Sequence, residues 1–428
     1  MPILAINGGK KVRTTKFPRY NTIDEAEIKA VTEVLREGTL SKYLGVWHED
    51  FYGGEKIQEF EKLWSKRFKA KHTVAVNSNT SGIITALGAC GIGLGDEVLV
   101  SPYSMAISAT APLFWNATPV FCDLDPLTYS LSTESILNNI SSDTKAIIVV
   151  HIFGCPSNMD EIMAIAKEHN LFVIEDCAQA PGATYKNQLV GTIGDIGIFS
   201  LNYHKHIHTG EGGMCTTNSD DLANKMQLIR NHAESVVEAK KDATRINMLG
   251  YNFRLTEIQA AIGISQLTKL DREIQVRQKY AAKYNKALEK YDFITTSNLK
   301  DRTHTYYIQE FQFCESKAGV SRETFIEAVC AELEAVEKRE NEGVPIYPGY
   351  AKPLYLIPLF QERQAYKEKE FGFKEHITYE KGLCPVVEDL NEKKLWIHDL
   401  TRSPLTDDDV NDVIQAYTKV CDNIHELR

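Results

Sequence analysis

Between Ser200 and Met214 the chain reads SLNYHKHIHTGEGGM, which sets one lysine, Lys205, among His204, His206 and His208 and just ahead of a Gly-Glu-Gly-Gly run. Such a stretch is open to three chemistries. A lysine in a nonpolar or cation-rich pocket has its amine pKa pulled down and becomes a neutral nucleophile. Three imidazoles on one face of an extended segment could ligate zinc, but a cationic lysine wedged between them opposes a divalent ion. Glycines ahead of a helix could cradle a phosphate. This run instead precedes the strand-like MCTTN, where glycine lets the backbone pass close to something bulky. No metal is expected, and a histidine-based metal hydrolase is kept as an alternative.

Two other stretches add to the lysine. VIEDCAQAPGA places Glu175, Asp176 and Gln179 at the end of a buried strand, the edge at which open α/β sheets bind ligands. An acid there could equally cap the next helix. NSNTSG, from Asn77 to Gly82, lies at a strand-to-helix junction with Thr80 and Ser81 in the first helical turn. Exposed N–H groups and hydroxyls at such a turn converge on an anion. By contrast GIGLGDE, Gly91 to Glu97, closes a helix and reads as a C-cap and tight turn. A buried acid, a lysine and a phosphate nest are the three fixtures a pyridoxal phosphate site requires. The acid keeps the ring nitrogen protonated, the lysine holds the aldehyde as a Schiff base, and the nest grips the phosphate.

The elements that must position these groups are legible as alternating short apolar and helical runs. HTVAVNS, DEVLVSP, TPVFCDLD, KAIIVVHIFG, LFVIEDC and DIGIFSL have the length and near-continuous hydrophobicity of strands buried on both faces. Helical stretches such as TSGIITALGACGIG and MDEIMAIAKEHN separate several of them, which predicts a mostly parallel sheet wrapped by helices. The segment from Leu255 to Tyr291 predicts one long amphipathic helical region leading into a mixed second domain. There HTYYIQEFQF reads as a strand, and SRETFIEAVCAELEAVEK and TDDDVNDVIQAYTKVCDNI read as helices capped by Ser321 and Thr406.

The whole chain sets outer limits. Its 428 residues suffice for two domains, and a formal net charge of -10 argues against a general nucleic-acid binder. No apolar run is long enough to span a membrane, and the start lacks the order of a signal peptide. Nine cysteines scattered singly fit reduced thiols and a cytoplasmic setting.

Taken together, SLNYHKHIHTGEGG, VIEDCAQAPGA, NSNTSG, VVHIFGCPSNMD and LGYNFRLTEIQAAIG resemble the DegT/DnrJ/StrS family of pyridoxal-phosphate aminotransferases, from about Tyr20 to the end. The resemblance implies an α/β, fold-type I aminotransferase: residues 1–262 as an N-terminal arm and large, mainly parallel sheet domain, and residues 263–428 as a connecting helix and smaller α+β domain. It makes Lys205 the Schiff-base lysine and general acid/base, Asp176 the partner of the pyridine nitrogen, and Gln179 a contact on the ring-hydroxyl side. Thr80, Ser81 and Ser200 become phosphate ligands. Asn252 would reach the phosphate of a neighbouring subunit, which implies a homodimer with shared sites. Relatives that dehydrate sugars carry histidine where this chain has Lys205, so amino transfer is favoured.

Two positions depart from the family pattern. Met105 stands where an aromatic ring usually covers the pyridine face, with Tyr103 two residues earlier, and Asn79 stands where glycine is common. The implied reaction moves an amino group from L-glutamate or L-glutamine to a keto-sugar. The expected acceptor is a nucleotide-linked keto-deoxyhexose, with a scyllo-inosose-like keto-cyclitol as the alternative prompted by GLCPVVEDLNEKKLWIHDL. A non-catalytic pyridoxal-phosphate-binding regulator is the alternative of another class.

Overall fold

The computed structural model describes residues 3–240, 248–296, 299–366, 369–370, 373–374 and 376–428. Helices α1 (Glu25–Glu37) and α2 (Glu55–Phe68) precede the first sheet strand. Then follow β1 (His72–Val76), α3 (Asn79–Ala89), β2 (Glu97–Val100), β3 (Thr118–Phe121), β4 (Thr144–Val150), α4 (Met159–His169), β5 (Phe172–Asp176), β6 (Ile196–Ser200) and β7 (Gly213–Thr217). These seven strands form one sheet in the order β1-β7-β6-β5-β4-β2-β3. The pairings from β6 through β5, β4 and β2 to β3 are parallel. Only β7 runs against its neighbours β1 and β6. Strands β2, β3 and β6 are buried at every residue, as a sheet covered on both faces requires. The expected α/β architecture is the observed one.

Because β7 is reversed, its first residue lies at the same sheet edge as the last residues of its neighbours. Gly213 pairs with both Val76 and Ser200. A Cβ built on Gly213 would lie 2.5 Å from the Ser78 carbonyl oxygen and 2.8 Å from the Asn79 nitrogen. The bulky neighbour that this glycine admits is therefore the start of α3. Val150 and Asp176 end β4 and β5 in register at that edge.

Beyond the sheet come α5 (Asp220–Arg230), α6 (Glu257–Leu267) and α7 (Leu270–Leu288). The single helical region expected over this stretch is two helices. Gln266 and Lys269 turn toward the N-terminal segment: Gln266 Nε2 and Lys269 Nζ both donate to the Thr22 carbonyl and to Glu27. Thr268 donates its hydroxyl to the Ser265 carbonyl at 2.7 Å, a local bond that competes with the helical ladder. The expected domain boundary after residue 262 falls inside α6.

The C-terminal part holds β8 (Ile294–Thr296), β9 (Gln309–Phe313), α8 (Arg322–Ala331), β10 (Ile346–Pro348), β11 (Leu395–His398) and α9 (Asp407–Asp422). Its antiparallel sheet has the order β8-β9-β11-β10. Strand β9 is shorter than expected because His304 to Ile308 are taken up by the site loops described below. Helix α8 stops at Ala331 because the buried Glu332 carboxylate turns to the N-terminal arm, accepting from Ala5 N, Val12 N and Lys419 Nζ. Ser321 and Thr406 cap their helices through the Thr324 and Asp409 N–H groups. Tyr355, Phe360 and Tyr379 from the stretch between β10 and β11 pack on Phe121 of β3, so this stretch joins the core of the large sheet. Among the described residues no helix is long and apolar enough to cross a membrane.

Candidate active site

A cavity of about 260 Å³ opens where β4, β5 and β6 end. Of the residues singled out in the sequence, Asn79, Thr80, Met105, Asp176, Gln179, Ser200, His204 and Lys205 line it. Ser81 does not. Its hydroxyl is spent on Asn77 Oδ1 and Ser78 Oγ, and its N–H bonds Ser78 Oγ, the N-cap of α3. Thr80 is exposed in the same first turn, where a helix start offers backbone donors. Ser200 ends β6 opposite Gly213. Asn252 lies on the surface, bridged to Asn231, and is not part of this cavity in its own chain.

Lys205 rides on a loop that leaves the sheet edge at β6 and returns to it at β7. Leu201 N bonds the Gly212 carbonyl at 2.8 Å and Lys205 N bonds the Asn202 carbonyl at 2.9 Å. From the N-terminal arm, the Tyr20 hydroxyl reaches the carbonyls of Lys205 at 2.6 Å and His206 at 3.1 Å. The lysine is buried, and its Nζ stands 4.1 Å over the centre of the Tyr307 ring. Burial pulls the amine down from its ordinary 10.5 to about 8, against the opposing pull of the Asp176 carboxylate. Burial thus brings the neutral, nucleophilic form of this amine within reach a little above neutral pH.

Asp176 is buried with donors on both oxygens. Oδ1 accepts from Asn79 Nδ2 at 3.2 Å and Ala178 N at 3.1 Å, and Oδ2 accepts from Ser108 Oγ at 3.0 Å. Asn79, the departure from the family's glycine, thus holds this acid. Its neighbour Glu175 faces the other way, accepting from Gly191 N, Ile193 N and Gly194 N and contacting His151 Nε2 at 3.0 Å, a structural acid that shapes the turn before β6. Gln179 accepts from Phe153 N at 2.6 Å and donates to the Tyr350 hydroxyl at 2.9 Å.

Of the two candidates for the ring-covering position, Met105 lines the cavity. Tyr103 is fully buried elsewhere, its hydroxyl accepting from Tyr350 N and donating to Asn391 Oδ1. The three histidines diverge. His206 Nε2 donates to the Thr305 carbonyl at 2.9 Å, and His208 Nδ1 accepts from Gly210 N. His204, pushed down to about 4 by burial and by Lys205 and Arg402, is neutral at pH 7. Among the described residues the groupings whose ligand atoms converge closely are His151 with Glu175 and Cys177, and His48 with Glu49 and Asp50, not this trio.

A second chamber of about 400 Å³ lies on the other side of His204, which lines both. Tyr307, beneath the Lys205 amine, and Tyr350, bonded to Gln179, also face it. Sequence reasoning missed Tyr20, Ser108, Tyr307 and Tyr350. Ser108 had a faint signal, a hydroxyl one helical turn after Ser104. The others come from distant parts of the chain and left none.

The donor set fits pyridoxal phosphate. A lysine held near neutrality, an acid at the strand ends and hydroxyls at a helix start share one small cavity. The DegT/DnrJ/EryC1/StrS aminotransferase family matches residues 21–416. The chain is 34% identical over 401 residues to the spore coat polysaccharide biosynthesis protein SpsC of Bacillus subtilis, covering 92% of this chain and 94% of that one. It is 32% identical over 451 residues, and the full length of both, to L-glutamine:2-deoxy-scyllo-inosose aminotransferase of Streptoalloteichus tenebrarius. In three dimensions it matches the crystal structure of an aminotransferase from Psychrobacter cryohalolentis with a TM-score of 0.79 and 31% identity, over 96% of this chain and all of that one. With fold, site and sequence in agreement over nearly its whole length, the chain belongs to the DegT/DnrJ/EryC1/StrS aminotransferase family and is an aminotransferase.

Proposed function

We propose that Lys205 carries the amino transfer, from L-glutamate or L-glutamine to a ketone on a hydroxylated six-membered ring, a keto-sugar or a keto-cyclitol, with pyridoxal phosphate held in the cavity of about 260 Å³. When bound, that group supplies an aldehyde that takes up and passes on the amino group and a ring that accepts electrons. Asp176 would face its ring nitrogen, Gln179 its hydroxyl side and Met105 its flat face. Thr80, Ser200 and the first turn of α3 would hold its phosphate. The neutral Lys205 amine acts at the carbon beside the nitrogen, taking a proton from the donor and returning one to the acceptor.

The observation that carries this reading is the buried Lys205 amine, pulled to about 8, in the same cavity as Asp176. Borohydride reduction of the loaded protein followed by peptide mapping should place a pyridoxyl label on Lys205. Replacing Lys205 with alanine should cut transfer on the order of 1,000-fold or more while the fold persists. A label elsewhere, or an alanine variant at full rate, would overturn the assignment. Relatives at similar identity act in polysaccharide synthesis and on a cyclitol, so nucleotide-linked hexoses and free keto-cyclitols are the two acceptor classes to compare.

A further inference from the structure

The ring beneath the Lys205 amine is carried by an unusual piece of backbone. Tyr306 has a φ of 49° and Phe153 a φ of 59°, a left-handed conformation that bulky residues hold only where their surroundings enforce it. The two turns face each other: Thr305 N donates to the Gly154 carbonyl at 3.0 Å and Ile308 N to the Phe153 carbonyl at 3.4 Å. His304 stacks on Tyr306 with ring centres 3.9 Å apart and accepts from its N–H through Nδ1. From α7, Arg277 Nη1 donates to the carbonyls of both Tyr306 and Tyr307, and Gln278 Nε2 to that of His304. From the lysine loop, His206 Nε2 donates to the Thr305 carbonyl. The backbone that bears Tyr307 is therefore fixed from three sides, in a strained turn.

A ring so placed acts on charge. The face of an aromatic ring is negative and draws a cation within about 6 Å, most strongly where water is excluded. Lys205 Nζ lies 4.1 Å from the Tyr307 ring centre, and both residues are buried. Among the described residues no oxygen accepts a hydrogen bond from Nζ. The other titratable groups around the amine do not do this work. Burial favours the neutral amine, Asp176 at the end of β5 supports the ammonium, and Arg277 on α7 opposes it. His204 and His206, on the lysine's own loop, are kept neutral at pH 7 by burial. Burial also pushes the Tyr20 and Tyr307 phenols above their ordinary range, so neither is ionised there to relay a proton.

We propose that Tyr307 is a further catalytic residue, whose ring face seats the Lys205 amine whenever that amine is charged and not joined to the cofactor. Nζ gains a proton from the donor carbon and later gives one up; the ring exchanges none and holds the ammonium beside the cavity in between. Arg277 and His304 are then positioning residues, acting through the backbone that bears the ring. The proposal rests on the assignment of Lys205 above.

The sign of a pH shift separates a ring that holds charge from one that only fills space. Wild type, Tyr307→Phe and Tyr307→Leu are prepared as full-length protein, with Tyr307→Met as a second ring-free variant should leucine not fold. Each is freed of cofactor, and the rate at which it captures added pyridoxal phosphate is followed by absorbance as a function of pH. Leucine keeps the site dry but withdraws support from the ammonium, so the midpoint should fall by on the order of 0.5–1 pH unit. Phenylalanine keeps the ring face and should keep the wild-type midpoint. In the loaded enzyme, single-turnover conversion by L-glutamate or L-glutamine should slow about 3- to 10-fold with leucine and scarcely with phenylalanine. A ring that merely packs would give the opposite shift, because its loss admits water and a better-hydrated ammonium moves the midpoint up. A midpoint that rises or stays fixed in the ring-free variants, or that phenylalanine lowers as far as leucine does, would overturn the proposal. A wild type whose Lys205 takes no pyridoxyl label on borohydride reduction would overturn the Lys205 assignment itself, and this proposal with it.

Discussion

The Lys205 amine stands between two opposing influences, burial that favours its neutral form and the Asp176 carboxylate that favours its charged one. Burial dominates, so the folded amine loses its proton at about 8 instead of 10.5. Capture of added pyridoxal phosphate by the cofactor-free protein should therefore rise with pH through about 8 and level off above it, where an ordinary surface lysine would still be rising. Asp176→Asn removes the charge that supports the ammonium, so the midpoint should move to lower pH. The same substitution should slow transfer on the order of 100-fold, through loss of the acid behind the ring. A midpoint that moves up, or stays fixed, would show that the two groups do not sense each other. Lys205, Asp176 and Gln179 were legible in the sequence because each ends or follows an apolar strand whose end must lie at the ligand edge. Ser108 and Asn79 were not legible as the partners of Asp176, since hydrogen bonds across 68 and 97 residues leave no local pattern.

At the scale of elements, the strands were readable and the connections were not. Burial on both faces writes a short apolar run for six of the seven strands of the large sheet, β7 with its GMCTT being the exception, whereas helix ends are decided by side chains bonding elsewhere. Gln266, Lys269 and Glu332 each end or break a helix by reaching the N-terminal segment. That segment also holds the lysine loop through Tyr20. Tyr20→Phe deletes both hydroxyl bonds, a loss of about 1 kcal/mol, and keeps the ring beneath Arg402. The thermal midpoint should fall only slightly, while pyridoxal phosphate should dissociate several-fold faster in a spectral competition assay. An unchanged dissociation rate would mean that the loop holds its shape without the arm.

For the whole molecule, Asn252 is the informative residue. It lies exposed, outside the cavity of its own chain, where the family resemblance assigns it to a neighbouring copy. If sites are shared, Lys205→Ala and Asn252→Ala variants, each impaired alone, should form mixed dimers on unfolding and refolding together. Those dimers contain one site with both native residues. Recovery toward one quarter of wild-type activity is the expected result by random assortment, and sedimentation should report a dimer. No recovery, or a monomer with full activity, would place Asn252 outside the chemistry.

The reversed strand β7 has a consequence for how such a fold can change. It brings the chain back to the sheet edge it has just left, so the stretch from Leu201 to Gly212 is closed on itself there by Leu201 N to the Gly212 carbonyl and Thr209 N to the Leu201 carbonyl. An insertion or deletion between Asn202 and His204 alters the reach of the amine, while Leu201 and Ile207 on either side stay seated in the core. The distance from scaffold to nucleophile is thus a dimension that can drift, or be engineered, within the few residues between those two anchors.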